Sequence, residues 1–387
     1  MHIALTANAA WNIWNFRRAL VSALVSDGHA VTVIAPPDDS VGDLEALGCR
    51  FLPLDMNVRG LNPLEDLALQ RRLRRVLTLE KPDVVLSFTI KNNVFGALAA
   101  RAAGVPLIPN VTGLGTAFLS DGLLRQVAET LCRRAFGPLP VVFFQNDDDR
   151  DLFRRRRLVR PEQARVLPGS GVDLSWFTAT DMPPPEAPPV FLMIARLLRD
   201  KGVVEFVEAA RQLKRTMPEV RFQLLGAAGS ENRTAIDAAT VDAWVAEGVV
   251  EHLGTAPDVR PHIAAATCVV LPSYREGAPR TLIEAAAMAR PVIATDVPGC
   301  RAVVEDGVSG LLCRVRDAES LAATMRRFLA LPHAERTAMG RAGRARMEAR
   351  FDEAIVVGAY REAIAAVTGT CRRTAPTKPR QCRPATS

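Results

Sequence analysis

The chain reads as an α/β protein built from two doubly wound parallel-sheet domains, and three observations predict that class. Short apolar or β-branched runs alternate with amphipathic stretches, and the alternation restarts after a proline-rich segment. The length, 387 residues, exceeds what one hydrophobic core usually organises. With 48% hydrophobic residues, there is enough apolar material for two cores.

Taken in order, His2 to Thr6, Ala30 to Ile34, Asp83 to Leu86, Pro106 to Val111 and Pro140 to Phe144 read as buried strands. Helical patterns fall between them, for example Phe16 to Ser26, Pro63 to Leu79, Asn93 to Ala103 and Leu123 to Phe136. After Pro183 to Pro189 the theme restarts with strands at Val190 to Ala195, Val220 to Leu225, Val249 to Leu253, Cys268 to Leu271 and Pro291 to Ala294. Strands alternating with helices imply parallel sheets with right-handed crossovers. The expected division is a first domain over 1–172, a linker over 173–189, a second domain over 190–351, a returning helix over 352–367 and a basic tail over 368–387.

The net charge of +7 resembles a nucleic-acid signal until it is divided along the chain. The tail holds Arg372, Arg373, Lys378, Arg380 and Arg383 with no acid, whereas 1–185 carries 21 basic and 19 acidic residues and 186–367 carries 23 of each. A nearly neutral body with a Pro/Thr-rich, disordered tail argues against nucleic acid as a partner. No apolar run approaches the roughly 18 residues of a membrane span. Met1 to Trp14 lacks the basic start of a signal peptide, so a cytoplasmic protein is expected. Seven scattered cysteines, with no C-x-x-C pair, indicate neither disulfides nor structural zinc.

Positive charge is nevertheless bunched at Arg71, Arg72, Arg74 and Arg75, at Arg125, Arg133 and Arg134, and at Arg154 to Arg157 with Arg160. Leu67, Leu69, Leu73, Val76 and Leu77 interleave with the first cluster, and Leu123, Leu124, Val127 and Leu131 with the second, at helical spacing. Such basic amphipathic helices suit either a solvated face or attachment to an anionic membrane surface.

Ligands of open α/β sheets sit at the carboxyl ends of strands, so the residues just after each strand carry the most information. The first strand ends in Thr6-Ala-Asn-Ala-Ala-Trp-Asn12, with no G-x-G-x-x-G, which removes the main support for a dinucleotide oxidoreductase. Asn8, Trp11, Asn12 and Trp14 form either a packed turn or a surface for sugar or lipid. The strand Val190 to Ala195 runs into Arg196 and then Lys201. A guanidinium chelating phosphate oxygens and an ammonium adding a point charge can hold a pyrophosphate without metal, and can stabilise the charge of a departing diphosphate. Taken alone, the pair reads equally as solvated surface cations.

The later strand, ending at Leu271-Pro272, leads to Glu276, with Glu284 eight positions on, inside a helix beginning near Arg280. Gly277 allows close backbone approach to a ligand, and the free N–H groups of the helix start favour an anion. The helix carboxylate suits two ribose hydroxyls and the loop carboxylate the hydroxyls of a sugar. Small residues Ala285, Ala286 and Ala287 place Glu284 on a well-packed helix rather than an open surface.

The ordered set Arg196/Lys201, Ser273-Tyr-Arg-Glu-Gly-Ala-Pro-Arg280, Glu284 and Ala294-Thr-Asp-Val-Pro-Gly-Cys300 resembles glycosyltransferase family 4, retaining enzymes of GT-B fold. Trp14-Asn-Phe-Arg17, Thr89-Ile-Lys-Asn92, Val111-Thr-Gly-Leu-Gly115 and Pro168-Gly-Ser-Gly-Val-Asp173 resemble its branch that builds polysaccharides or glycans on a polyprenyl diphosphate carrier. The resemblance implies two Rossmann-like domains facing each other across a cleft, with the last helix packed back on the first. It implies that Arg196 and Lys201 bind the donor diphosphate, that Glu276 contacts the donor sugar, and that Glu284 holds the ribose. It further implies that Gly277 and Ala278 approach sugar and phosphates, and that Gly226 and Gly254 shape the nucleotide wall. Asn8, Trp11, Arg17 and Lys91 would face the acceptor.

The implied reaction moves a hexose or N-acetylhexosamine from a UDP-sugar to an acceptor hydroxyl with retention, the departing diphosphate oxygen taking the hydroxyl proton on the same face. No metal and no cofactor beyond the donor are implied, and Asp147 to Asp149 reads as a helix start rather than a metal motif. The partners implied are the donor, a lipid-linked or saccharide acceptor and the inner face of the cytoplasmic membrane. Two features depart from many relatives: Ala9 and Ala10 stand where glycines are common, and no histidine falls in Val111 to Phe118, leaving Thr112 or a backbone group near the acceptor. The alternatives are a GT-B-like UDP-sugar epimerase and a non-catalytic basic membrane adaptor.

Overall fold

The computed structural model describes residues 1–58, 62–113, 123–229, 232 and 234–369. Nearly all of the basic tail therefore lies outside the described residues. A first all-parallel sheet is built from β1 (His2–Thr6), β2 (Ala30–Ala35), β3 (Arg50–Pro53), β4 (Val84–Phe88), β5 (Leu107–Val111), β6 (Val142–Phe144) and β7 (Ala164–Val166). Their order is β3-β2-β1-β4-β5-β6-β7, with Ile3 opposite both Val31 and Val84. A second sheet contains β8 (Val190–Ile194), β9 (Arg221–Leu225), β10 (Glu251–His252), β11 (Cys268–Leu271), β12 (Val292–Thr295) and β13 (Gly310–Cys313), in the order β10-β9-β8-β11-β12-β13.

Helices cover both faces of each sheet. The first is flanked by α1 (Ala10–Ser26) and α2 (Val41–Ala46) on one side, and by α3 (Pro63–Glu80), α4 (Ile90–Ala103), α5 (Leu123–Phe136) and α6 (Asp147–Arg155) on the other. Around the second sheet, α7 (Val203–Lys214), α8 (Ala238–Ala246) and α12 (Ala318–Ala330) share one core. The opposite core takes α9 (Arg260–Ala265), α10 (Arg280–Ala287), α11 (Pro298–Val303) and α13 (His333–Arg350). Central strands such as β4 and β11 are buried at every residue, as parallel strands covered on both faces must be. Among the described residues, no helix is long and apolar enough to cross a membrane.

The last helix, α14 (Glu353–Thr368), returns to the first sheet and lies against α1. Tyr360 is fully buried there, with ring centroids 5.0 Å from Phe143 and 6.1 Å from Phe88, and its hydroxyl accepts from Asn110 Nδ2 at 2.9 Å.

The alternating pattern located the central strands, and the differences lie at the margins. β3, β7 and β13 were not expected. They are strands of three or four residues at or near the sheet edges, too short to give a period. The strand read over 249–253 contracts to two paired residues at an edge. Helix α1 begins at Ala10 rather than Phe16, because the Trp11 N–H finds the Asp38 carboxylate at 2.8 Å and the apparent turn becomes the helix's first turn. Strand order reverses at β1/β4 in one sheet and at β8/β11 in the other, and such switch points open a crevice at the carboxyl ends.

Candidate active site

The second sheet's switch point assembles the cations and one carboxylate. Arg196 follows β8 and is exposed, and its side chain has no hydrogen bond or ion pair among the described residues. A single 3₁₀ turn, Arg199–Lys201, then carries the chain to Gly202 at φ +78°, where a Cβ would lie 2.1 Å from the Pro272 carbonyl oxygen. Glycine at this point lets the Lys201 turn close against the end of β11. The result is a direct pair, Lys201 Nζ to Glu276 Oε1 at 2.5 Å, with side chains 25% and 12% exposed.

The loop bearing Glu276 is held on all sides. The Thr295 hydroxyl donates to the Ser273 carbonyl oxygen, and a Cβ on Gly299 would sit 2.5 Å from the Glu276 carbonyl oxygen. The Tyr274 hydroxyl donates to Glu205 at 2.7 Å; burial and that carboxylate push the phenol up to about 12, so it stays a neutral donor. Across the cleft, Asn146 Nδ2 donates to the Gly277 carbonyl oxygen at 2.9 Å, and a Cβ on Gly277 would lie 2.5 Å from that of Thr112. Arg275 pairs with the buried Asp149 at 2.5 Å. Burial raises the Asp149 carboxyl, opposed by the Arg275 charge. Asp147 to Asp149 do form a helix start, capped by the Asn146 side chain, which accepts from the Asp149 N–H.

Glu284 occupies the second turn of α10, whose start is tied to the end of β8 by the Thr281 hydroxyl donating to the Ile194 carbonyl oxygen at 3.0 Å. The residue is 9% exposed, and burial pushes its carboxyl upward while the Arg280 guanidinium, donating to Oε1, opposes the shift. Gly226 and Gly254 are joined by an N–H···O bond of 2.7 Å, and a Cβ on Gly226 would collide with the Ala195 carbonyl oxygen. Ala278 packs against the end of the first half, where a Cβ on Gly169 would lie 2.7 Å from its own.

The first half is less uniform. Trp11 is 51% exposed, its ring edge-on to Phe16 at 5.4 Å, and Asn8 Oδ1 is buried without a partner among the described residues. Thr112 sits opposite the Gly277 backbone. Lys91 is already neutralised, paired with Asp66 at 2.9 Å and donating to the Asn57 carbonyl oxygen at 3.2 Å. Arg17, expected to face an acceptor, instead lies inside at 3% exposure. Its guanidinium stacks 4.5 Å from the Phe88 ring centroid and donates to Ser170 Oγ at 3.0 Å, because the segment after β7 and Tyr360 of α14 close over it. The i,i+4 spacing of Arg280 and Glu284 is readable in the sequence, whereas the approach of Gly299 to the Glu276 backbone is not.

Two opposed parallel-sheet halves, each offering its switch point to one cleft, define a GT-B glycosyltransferase. The chain belongs to the glycosyltransferase family whose two parts are described as "Glycosyl transferase 4-like domain", matching 13–169, and "Glycosyl transferases group 1", matching 188–330. It is 28% identical over 377 residues to N,N'-diacetylbacillosaminyl-diphospho-undecaprenol alpha-1,3-N-acetylgalactosaminyltransferase of Campylobacter jejuni, covering 93% of this chain and 97% of that one. It is 26% identical over 274 residues, 68% of this chain and 70% of the other, to UDP-Gal:alpha-D-GlcNAc-diphosphoundecaprenol alpha-1,3-galactosyltransferase of Escherichia coli. Among solved structures, Anabaena Alr3699/HepE in complex with UDP-glucose superposes with a TM-score of 0.76 at 19% identity, over 95% of this chain and all of the other. The protein is therefore a glycosyltransferase, and the epimerase and adaptor readings are set aside.

Proposed function

We propose that this enzyme transfers a hexose or N-acetylhexosamine, with retention, from a UDP-sugar to a sugar carried on a polyprenyl diphosphate. The observation that carries the reading is the Lys201–Glu276 pair, on a loop that touches the opposite half at Thr112 and Asn146, with exposed Arg196 at the end of β8, unpartnered among the described residues. Relatives aligned along most of the chain are named for N-acetylgalactosaminyl and galactosyl transfer to diphosphoundecaprenol-linked sugars, which supports the same acceptor class here.

In this reading Arg196 and Lys201 take the donor diphosphate, Glu276 turns from Lys201 toward the donor sugar, and Glu284 takes the ribose. The anomeric C–O bond to the diphosphate breaks as the bond to the acceptor oxygen forms on the same face. The acceptor proton passes to the departing diphosphate oxygen, whose negative charge the two cations stabilise. Exposed Trp11 offers a face to the acceptor sugar. In this reading no step passes through a metal; Asp147, Asp148 and Asp149 sit at the start of α6 and pair with Arg150, Arg301 and Arg275.

The membrane surface is the remaining part of the proposal. Helices α3 and α5 share one layer; Arg71, Arg74 and Arg75 are exposed on α3, beside Leu64 at 77%, Leu67 at 40% and Leu79 at 71% exposure. Exposed leucines interleaved with arginines are the composition of an interfacial helix.

The test offers UDP-galactose, UDP-glucose and their N-acetylated forms with a polyprenyl-diphosphate-linked N-acetylhexosamine, and follows UDP release and lipid-linked disaccharide. An α-linked disaccharide from one donor is expected, and Glu276→Ala should cut turnover by about 10²- to 10³-fold. A β-linked product, or full turnover by the Glu276→Ala variant, would overturn the reading.

A further inference from the structure

We propose that Arg280 is a positioning residue for the nucleotide: it holds in place the Glu284 carboxylate that meets the ribose, using a ring from the opposite half as its support. The inference rests on the donor-site reading of Glu284. Arg280 opens α10, one turn before Glu284, so the two side chains meet on one helix face. Its Nε donates to Glu284 Oε1, and no described residue partners Oε2. One oxygen is thus clamped while the other is left to accept hydroxyls.

The guanidinium is not free to wander. Its carbon lies 5.6 Å from the centroid of the Phe16 ring, which belongs to α1 of the first half, while Thr281 pins the helix start to β8. The surrounding charges come from three elements. The pKa of Arg17 of α1 is lowered chiefly by burial and further by the Arg280 charge, that of Glu353 of α14 is raised chiefly by burial with the Arg280 charge among those opposing it, and Arg344 of α13 is spent on the Ala287 carbonyl oxygen. Only Arg280 among them bears on Glu284, whose carboxyl burial raises. A carboxylate that must accept from hydroxyls is useful only when ionised, and the guanidinium opposes the cost that burial imposes.

The experiment measures dissociation constants of UDP and 2′,3′-dideoxy-UDP by calorimetry for the wild type, Glu284→Gln, Arg280→Gln and Arg280→Lys, with thermal midpoints confirming folding. Glu284→Gln and Arg280→Gln should each weaken UDP about tenfold, as loss of a charged hydrogen bond does, and leave the dideoxy analogue unchanged. Arg280→Lys, which keeps the charge, should recover part of the affinity. The Arg280→Gln deficit should grow as pH falls from about 8 to about 5.5, because without the guanidinium Glu284 protonates at higher pH.

Replacing Phe16 by Leu should weaken UDP about threefold with Arg280 present and not at all in the Arg280→Gln background. UDP binding by Arg280→Gln at or above wild-type affinity, while Glu284→Gln is impaired, would make Arg280 a mere occupant of the empty site and overturn the proposal. If Glu284→Gln also binds UDP normally, the donor-site reading itself falls.

Discussion

In the proposed donor site, Glu284 would serve ligand binding at the expense of fold stability. Its carboxyl is held above the ordinary value by burial, so folding favours the protonated form. Stability from this group is fully present below the unfolded pKa, about 4.3, and is lost as pH rises toward the folded value. At neutral pH its ionisation therefore opposes folding in the empty protein. Glu284→Gln should raise the thermal midpoint by roughly 2 °C near pH 7, with the gain closing near pH 4, while the shift produced by a fixed concentration of UDP shrinks. A lower midpoint in the variant would mean that the Arg280 pair outweighs burial. The residue's type and place were legible in the sequence, because E-x7-E after a strand puts the second carboxylate inside a helix lined with alanines. Arg17 was not legible in the same way. Its neighbours Ser170 and Tyr360 lie far along the chain, and only their convergence turns a helix cation into a buried one.

At the scale of elements, position is enforced by backbones that approach more closely than a side chain would allow. Gly299 sits in the first turn of α11, and any Cβ there would lie 2.5 Å from the Glu276 carbonyl oxygen and 2.6 Å from that of Gly277. Gly299→Ala must displace the loop that carries Glu276, so turnover should fall by about 10²-fold, the scale of an ångström's misplacement. Because the helix itself tolerates alanine, circular dichroism should be unchanged; a variant with wild-type turnover would show that the loop relaxes freely. Apolar runs announced the central strands because burial on both faces demands them. The edge strands β3, β7 and β13 carry arginine, glycine or cysteine in three or four residues, and only pairing with a neighbour makes them strands. Gly299 likewise lay within a recognised motif, yet the atom it avoids is 23 residues earlier in the chain, beyond any local pattern.

In the proposed reading, donor chemistry and membrane attachment fall on different faces of the molecule. The cleft joins the switch points of both sheets, while the α3–α5 layer on the first sheet turns arginines and leucines outward. An enzyme whose acceptor is anchored in a bilayer gains by holding that face against the lipid, because the acceptor headgroup then arrives at the cleft without diffusing through water. Arg72 takes little part, since it is tied to Asp55 by an ion pair of 3.2 Å and a bond to the Asp55 carbonyl oxygen of 2.9 Å. The effective charges are Arg71, Arg74 and Arg75, each contributing about 1 kcal/mol near an anionic surface, so replacing all three by Gln should lower affinity for phosphatidylglycerol vesicles by about 10²-fold. The wild-type affinity should itself fall steeply as salt is raised from about 0.1 M to about 1 M, where the screening length shrinks from about 10 Å to about 3 Å. Turnover of a short-chain, water-soluble acceptor should be untouched in the triple variant, and turnover of a vesicle-borne acceptor should drop. Unchanged vesicle binding would leave α3 as solvated surface and move the search for a membrane contact to the remaining arginines of α5 and α6.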